Sequence, residues 1–215
     1  MFNFSTKTLV NKEFKTNDIL KQIKASKEVK EDSKKITKII LQNVINAKTL
    51  NLSNVEDDYK EIYVFKLLLN VDIIPELFIK ELDKSINFHT YFICEYDGFI
   101  STLMAFKDIN RVTKITTKYF KHPFQNDIDI ELPLINKVSD VYNILLSYET
   151  NNKLKNMETP NEFIERVNKI NKLEFQISKT EKAIIYETQP KKKFEYNERL
   201  REYKKELNEL KKDED

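Results

Sequence analysis

The chain has 215 residues, and its 37 lysines and arginines nearly balance 35 aspartates and glutamates, giving a formal charge of +2. This balance excludes a protein that is basic over its whole surface, so any contact with nucleic acid has to be local. The single cysteine, Cys94, excludes an internal disulfide framework and a cysteine-based metal site, and its apolar neighbours predict a buried core position.

Glycine is nearly missing from the sequence, with Gly98 as its one occurrence. Phosphate-cradling loops of the P-loop and dinucleotide-binding types need several glycines, because the main-chain N–H groups must close on the phosphate. Sites of those kinds for ATP, GTP, NAD or FAD are therefore excluded. We expect a protein without a cofactor.

Hydropathy predicts no contact with a membrane. No apolar run approaches the roughly 18 residues of a membrane span. The first five residues, MFNFS, lack the basic and apolar regions of a signal peptide. We therefore expect a cytoplasmic location.

Between residues 18 and 46, apolar side chains recur at spacings of three and four, with lysine and glutamate between them. This spacing predicts two amphipathic helices, the second of which begins at residues 31–33 and contains Ile36, Ile39, Val44 and Ile45. The alternating residues 50–52 predict a short strand.

The next elements are predicted from residue type as well as spacing. Residues 61–69 are β-branched, aromatic and almost continuously apolar, which is typical of a central strand. Pro75 opens a predicted helix that ends near Ile86, with Glu76 in the first turn, where the helix dipole favours an acid.

Residues 91–96 and 99–106 flank Asp97 and Gly98, the two-residue turn that a type I′ hairpin prefers. A β-hairpin is therefore predicted here. A further strand is predicted at residues 114–120 and a helix from Ser139 onward.

From residue 158 the apolar residues thin to a stripe among charges. After Pro190 the stripe steps by four and three, which is a heptad seam, and proline interrupts the helical pattern between two stripes of similar length. We predict an antiparallel helical hairpin, a coiled coil, with its turn near Pro190. One continuous helix that dimerises in parallel is the alternative.

The sequence as a whole predicts an α+β protein. A small, mainly antiparallel sheet with flanking helices is expected at residues 1–157, followed by the helical hairpin at residues 158–215.

One group of residues resembles a nuclease site, since a metal-dependent nuclease gathers acidic residues and a lysine on adjacent strands. The candidates are Glu61, Glu95, Asp97 and Lys107. Their spacing lacks the tight E-x-K pattern on one strand, so solvated strand ends are the favoured interpretation. The two histidines, His89 and His122, are too few for a histidine-rich metal site, and we expect no metal.

The predicted hairpin turn carries concentrated positive charge. Lys191, Lys192 and Lys193 follow Pro190, and two more lysines, at positions 179 and 182, precede it on the opposing helix. A solvated charge run is the simpler interpretation. A contact with an acidic partner or with DNA is the functional alternative. Three residues of the last helix join the candidate partner-binding set: Tyr196, Asn197 and Tyr203.

The order of motifs resembles a bacterial and archaeal family catalogued as a domain of unknown function, number forty-three ninety-one. The segments that carry the resemblance are residues 4–12, 61–65, 86–89, 92–93, 187–189, 196–197 and 206–207. Thr8, Val10, Asn11 and Lys12 are its most specific part, together with the helix that contains Asn197. Members resemble small companions of helicases and DNA methyltransferases in restriction-type or antiphage gene clusters.

The resemblance implies a non-catalytic accessory subunit of such a system, whose hairpin binds a helicase or a methyltransferase, and it supplies no catalytic residues. The alternative is a metal-dependent nuclease acting on DNA in the same kind of system. Self-association is a third expectation, since Phe163, Tyr196 and Tyr203 are large enough to leave an apolar edge on the hairpin that a second copy covers.

Overall fold

A computed structural model describes residues 4–52, 59–108, 115–128, 130, 135–155 and 158–212. The chain forms two compact units, Met1–Asn151 and Asn152–Asp215. Among the described residues, no helix is both long enough and apolar enough to cross a membrane.

The first unit is built on one six-stranded sheet whose strands follow chain order. Neighbouring strands are antiparallel except the third, β3 (Glu61–Leu69), and the fourth, β4 (His89–Tyr96), which are parallel and are joined by the crossover helix α3 (Glu76–Ser85). The predicted α+β fold, with a mainly antiparallel sheet and flanking helices, is confirmed. The elements are a 3-10 turn Thr6–Thr8, β1 Leu9–Phe14, α1 Thr16–Gln22, α2 Lys27–Ser33, β2 Ile36–Asn46, β3 Glu61–Leu69, α3 Glu76–Ser85, β4 His89–Tyr96, β5 Phe99–Asp108, β6 Ile115–Gln125 and α4 Val138–Thr150.

The β4–β5 hairpin forms where the sequence predicts it. Asp97 and Gly98 connect the strands with φ angles of 48° and 81°, the two positive values that a type I′ turn requires. Aspartate tolerates this left-handed conformation and glycine adopts it without strain. The predicted strand at residues 61–69 and the helix after Pro75 are likewise confirmed as β3 and α3.

The second predicted helix is wrong, because residues Ile36–Asn46 form strand β2. Six of these eleven residues are β-branched, which favours a strand. The register of β2 against β3 shifts twice, between Ile36 and Lys38 and between Leu41 and Asn43. Such bulges insert an extra residue, so the buried side chains of Ile36, Ile39 and Asn43 fall at spacings of three and four, and only Ile45 follows at a spacing of two. The strand therefore imitates the periodicity of a helix.

The predicted strand at residues 50–52 is also wrong, since β2 ends in a turn there. The N–H groups of Leu50 and Leu52 donate to the carbonyls of Asn46 and Ala47, and Asn51 has a φ of 58°. Strand β1, at residues 9–14, was not predicted from the sequence.

Helices cover both faces of the sheet. One face carries a core cluster to which α1, α2 and α3 contribute, and it includes Phe78, Phe92 and the fully buried Cys94. Burial raises the pKa of the Cys94 thiol to about 12, so the predicted core role is confirmed. Successive strand residues point to opposite faces. Tyr91 therefore lies on the other face, where its hydroxyl reaches Glu149 of α4.

The second unit is an antiparallel helical hairpin made of α5 Pro160–Tyr186 and α6 Pro190–Lys211. The prediction of a hairpin with its turn near Pro190 is confirmed, and the continuous-helix alternative is wrong. Both helices begin with a proline, which fits the first helical position because its missing N–H has no helical partner there. Thr159 and Glu162 close a reciprocal capping box at the start of α5.

Ion pairs join the two arms of the hairpin. The ammonium and carboxylate groups are 2.9, 2.8 and 2.7 Å apart in three pairs. These exposed contacts add little stability each, but they fix the register of one arm against the other. The pairs are Lys169–Glu206, Lys204–Glu181 and Lys211–Glu174.

Candidate interaction surface at the hairpin tip

The hairpin tip, defined here as residues 182–194, exposes three large apolar side chains at one end of the second unit. Ile185 and Tyr186 end α5 and are 72% and 82% exposed, and Phe194 in the second turn of α6 is 66% exposed. Single exposed apolar residues are common on protein surfaces, but a group of them in one place is typical of an interaction surface. The tip is therefore a candidate docking surface.

The lysines of the tip differ from those along the arms in their ion pairing. Lys169, Lys204 and Lys211 pair with glutamates across the hairpin. In the described part of the chain, the exposed side chains of Lys182 and of residues 191–193 make no ion pair. The carboxylate of Glu187 accepts a hydrogen bond from the backbone N–H of Gln189 within the turn. The tip thus combines apolar surface with positive charge that is not neutralised by a close pair.

The other three predicted partner-binding residues of α6 have two different environments. Asn197 is exposed, and its side-chain amide donates to the carbonyl of Lys193 at 2.8 Å. Tyr196 and Tyr203 are half-buried at positions of the apolar stripe. These two tyrosines therefore belong in large part to the seam between the helices.

The expected apolar edge on the hairpin needs a correction. Phe163 is fully buried, so it exposes nothing for a second copy to cover. Among the described residues of the hairpin, the large apolar side chains that are exposed are instead Ile185, Tyr186, Phe194 and, earlier in α5, Phe175. A sequence signal for them exists, because Phe175, Ile185 and Tyr186 fall between the stripe positions, where charged residues are the rule.

The residues of the nuclease hypothesis lie at two different ends of the sheet. Glu61 begins β3, and its carboxylate accepts a hydrogen bond from Asn46 at 3.1 Å. In the parallel β3–β4 pair, Ile62 lies opposite His89, and Leu68 lies opposite Glu95. Six residues along each strand separate these two pairs, which is a distance of about 20 Å. Glu95 forms an ion pair with Lys66 at 2.6 Å, and Asp97 lies in the adjoining hairpin turn. The structure does not bring these carboxylates together.

Lys107 lies at the Glu61 end of the sheet but is held in a buried network. Its side chain is 2% exposed and forms an ion pair with Asp83 at 2.5 Å. Its ammonium also donates to the carbonyls of Asp83, Ile86 and Phe88 at 2.9, 3.4 and 3.0 Å. The hydroxyls of Thr90 and Tyr119 donate to the same aspartate. Lys107 therefore ties α3 to the sheet.

Among the described residues, no group of three or more histidines, cysteines or acids is placed to hold a metal ion. His89 is buried, and its ring lies 4.6 Å from the ring of Tyr59 and 4.3 Å from that of Tyr142. Burial, and then the charge of Lys107, lower the pKa of His89 to about 3, so its ring stays neutral. His122 binds the carbonyl of Tyr148 through Nε2 at 2.7 Å.

Glu149 is a buried titratable group that the sequence analysis did not identify. Glu149 at the end of α4 is 4% exposed, and the hydroxyl of Tyr91 donates to its Oε1 at 2.7 Å. Its Oε2 has no hydrogen-bond partner among the described residues. Burial raises the pKa of Glu149 to about 7, against the lowering effect of nearby Thr102, Tyr91 and His122. Sequence pattern gave no signal, because a glutamate near a helix end is usually solvated.

The comparisons with known proteins identify a family and no individual relative. No curated protein and no solved structure matches the chain. The family described as "Domain of unknown function (DUF4391)" matches residues 2–207, which include almost all of both compact units. This match agrees with the resemblance seen in the sequence motifs. The chain belongs to the DUF4391 family.

Proposed function

We propose that the chain is a non-catalytic interaction subunit that binds a protein partner through its hairpin tip. The expected partner surface is an apolar pocket bordered by carboxylates. The observation that carries this proposal is the exposure of Ile185, Tyr186 and Phe194 at one end of the hairpin.

Burial of these side chains supplies the driving force for binding. Moving a side chain of this size out of water contributes about 1.5–3 kcal/mol. Tyrosine is enriched among the residues that dominate binding energy at interfaces. Two aromatic residues and an isoleucine therefore supply the apolar anchors of the proposed interface.

The charge around the anchors indicates the kind of partner. Lys182 and residues 191–193 contribute four positive charges, and Glu187 contributes one negative charge within the hairpin tip. Carboxylates on the partner would steer it towards the tip and set its orientation, an effect that weakens as salt screens the charges.

The family resemblance suggests where to look for the partner. We propose a helicase or a DNA methyltransferase of a restriction-type or antiphage defence system, with this chain as its accessory subunit. The geometry gives no support to the nuclease alternative, because Glu61 and Lys107 lie about 20 Å along the sheet from Glu95 and Asp97.

Co-expression with a helicase or methyltransferase encoded beside the chain tests the proposal. The triple variant Ile185→Ser, Tyr186→Ser, Phe194→Ser should fold but fail to co-purify with the partner. Phe175→Ser is the matched control, because Phe175 is 68% exposed on the same hairpin but lies outside the tip. The control should bind like the parent chain. Undiminished binding by the triple variant would contradict the proposal.

A further inference from the structure

A cleft of about 860 Å³ opens in the first unit between α1, α2 and the start of β2. Three of its lining residues are apolar, namely Leu20, Ala25 and Ile36, and all three also belong to or pack against the core cluster of the sheet. Clefts that bind small molecules have volumes of about 300–1,000 Å³ and combine an apolar wall with a few polar groups. The size and lining of this cleft suit a ligand of that kind.

The charged side chains that line the cleft are all positive. Four lysines line it and no aspartate or glutamate does, although acids and bases are almost equal in number over the whole chain. A smaller cleft on another face of α2 is lined by three acids, Glu28, Glu31 and Asp32, and by two lysines, Lys27 and Lys35. All the acids that line these two clefts therefore lie in the smaller one. The four lysines are Lys21, Lys24, Lys30 and Lys34.

Most of the lysine charge in the cleft is not neutralised by a close ion pair. Lys34 pairs with Glu31 at 2.7 Å. In the described part of the chain, the ammonium groups of Lys21, Lys24 and Lys30 make no ion pair. Like charges around one concavity raise its positive potential and attract anions.

The position of Lys24 is unusual for a lysine. It lies just after α1 with a φ of 50°, in the left-handed region where glycine or asparagine normally ends a helix. At the other described non-glycine positions with positive φ, the chain has asparagine or aspartate: Asn11, Asn51, Asp97 and Asn151. At residue 24 the chain instead places a positive charge at the cleft.

We infer that this cleft binds a small polyphosphate anion of nucleotide size. Lysine binds phosphate as a point charge, and three to four lysines match the charge of a diphosphate or triphosphate. The exclusion of glycine-rich nucleotide loops does not apply, because side-chain ammonium groups supply the contacts here. A single-stranded nucleic acid fits less well, since the cleft has no aromatic side chain on which bases stack. The inference is independent of the proposed function of the hairpin.

Calorimetric titration of the full-length chain at low salt tests the inference, with sodium tripolyphosphate and magnesium-free ATP as probes. One saturable site for either probe is expected. A unit charge pair about 4 Å apart in water is worth about a fivefold change in affinity. The triple variant Lys21→Gln, Lys24→Asn, Lys30→Gln should therefore bind about a hundredfold more weakly. Asparagine at position 24 should keep the turn intact, because it tolerates a positive φ.

Lys27→Gln is the matched control, since Lys27 lies on the same helix but lines the smaller cleft. The control should bind either probe like the parent chain. Saturable binding of tripolyphosphate, of ATP or of both, lost in the triple variant alone, supports the inference. Three results overturn it: no saturable binding of either probe, undiminished binding by the triple variant, or an equal loss in Lys27→Gln.

Discussion

Replacement of Glu149 by glutamine should make the fold less sensitive to alkaline pH. In the folded chain the pKa of this carboxyl rises from 4.5 to about 7, chiefly because it is buried. A raised pKa means that the folded state holds the proton more tightly than the unfolded state. The stability that this group contributes is therefore complete below pH 4.5 and is lost as pH rises through about 7.

The size of the effect follows from the same two pKa values. At about 1.36 kcal/mol per pH unit, the charged carboxylate costs the fold on the order of 3 kcal/mol once pH exceeds about 8. Glutamine carries no charge at any pH, and its side-chain oxygen can still accept the hydrogen bond of Tyr91. Most of the cost appears between pH 5 and pH 8.5, so over that interval the stability advantage of Glu149→Gln should grow by about 2 kcal/mol.

Urea unfolding at a series of pH values measures this difference directly, because the midpoint at constant slope reports the free energy of unfolding. Asp72→Asn is the control, since Asp72 is an exposed acid in the same unit. Its stability should follow the pH profile of the parent chain. If the difference in free energy of unfolding between Glu149→Gln and the parent chain stays constant from pH 5 to 8.5, the account of this buried carboxyl is refuted.

Three further predictions concern other sites. Lys107→Met should destabilise the chain by about 3–5 kcal/mol in urea unfolding, because it leaves the charge of Asp83 buried without a cation. Adding Asp83→Asn should recover part of that loss, and no recovery would argue against a charge effect. Replacing lysines 191–193 by glutamate should change stability by less than about 0.5 kcal/mol. The same replacement should weaken partner binding at low salt more than at high salt. Duplex DNA incubated with the chain and Mg²⁺ or Mn²⁺ should stay intact, and cleavage that is lost in Glu95→Gln would restore the nuclease hypothesis.

Features that depend on a few neighbouring residues could be predicted from the sequence. Asp97 and Gly98 place a two-residue turn between two strand-like runs, and both prolines at positions 160 and 190 begin helices as their missing N–H allows. The stripe of apolar residues in α5 and α6 predicts the hairpin because each arm has only one apolar face to bury.

Features that depend on contacts between distant segments could not be predicted. Strand β2 has helix-like spacing because its bulges are set by pairing with β3. The raised pKa of Glu149 arises from burial beside Tyr91, 58 residues away in the chain. The basic cleft needs α1, α2 and β2 in place before its lysines share one concavity. The lysines of the hairpin tip were singled out from the sequence, whereas its exposed apolar side chains were not, although Ile185 and Tyr186 fall between the stripe positions.

Protection of a thiol at the tip tests the interaction account most directly. Cys94 is buried with a raised pKa and should not react, so an introduced cysteine supplies the reactive thiol. Thr188 is exposed in the hairpin tip and is not one of its apolar anchors. Alkylation of Thr188→Cys should slow at least tenfold when the partner helicase or methyltransferase is added, whereas alkylation of Phe175→Cys should keep its rate. Equal rates for Thr188→Cys with and without a bound partner would contradict docking through the hairpin tip.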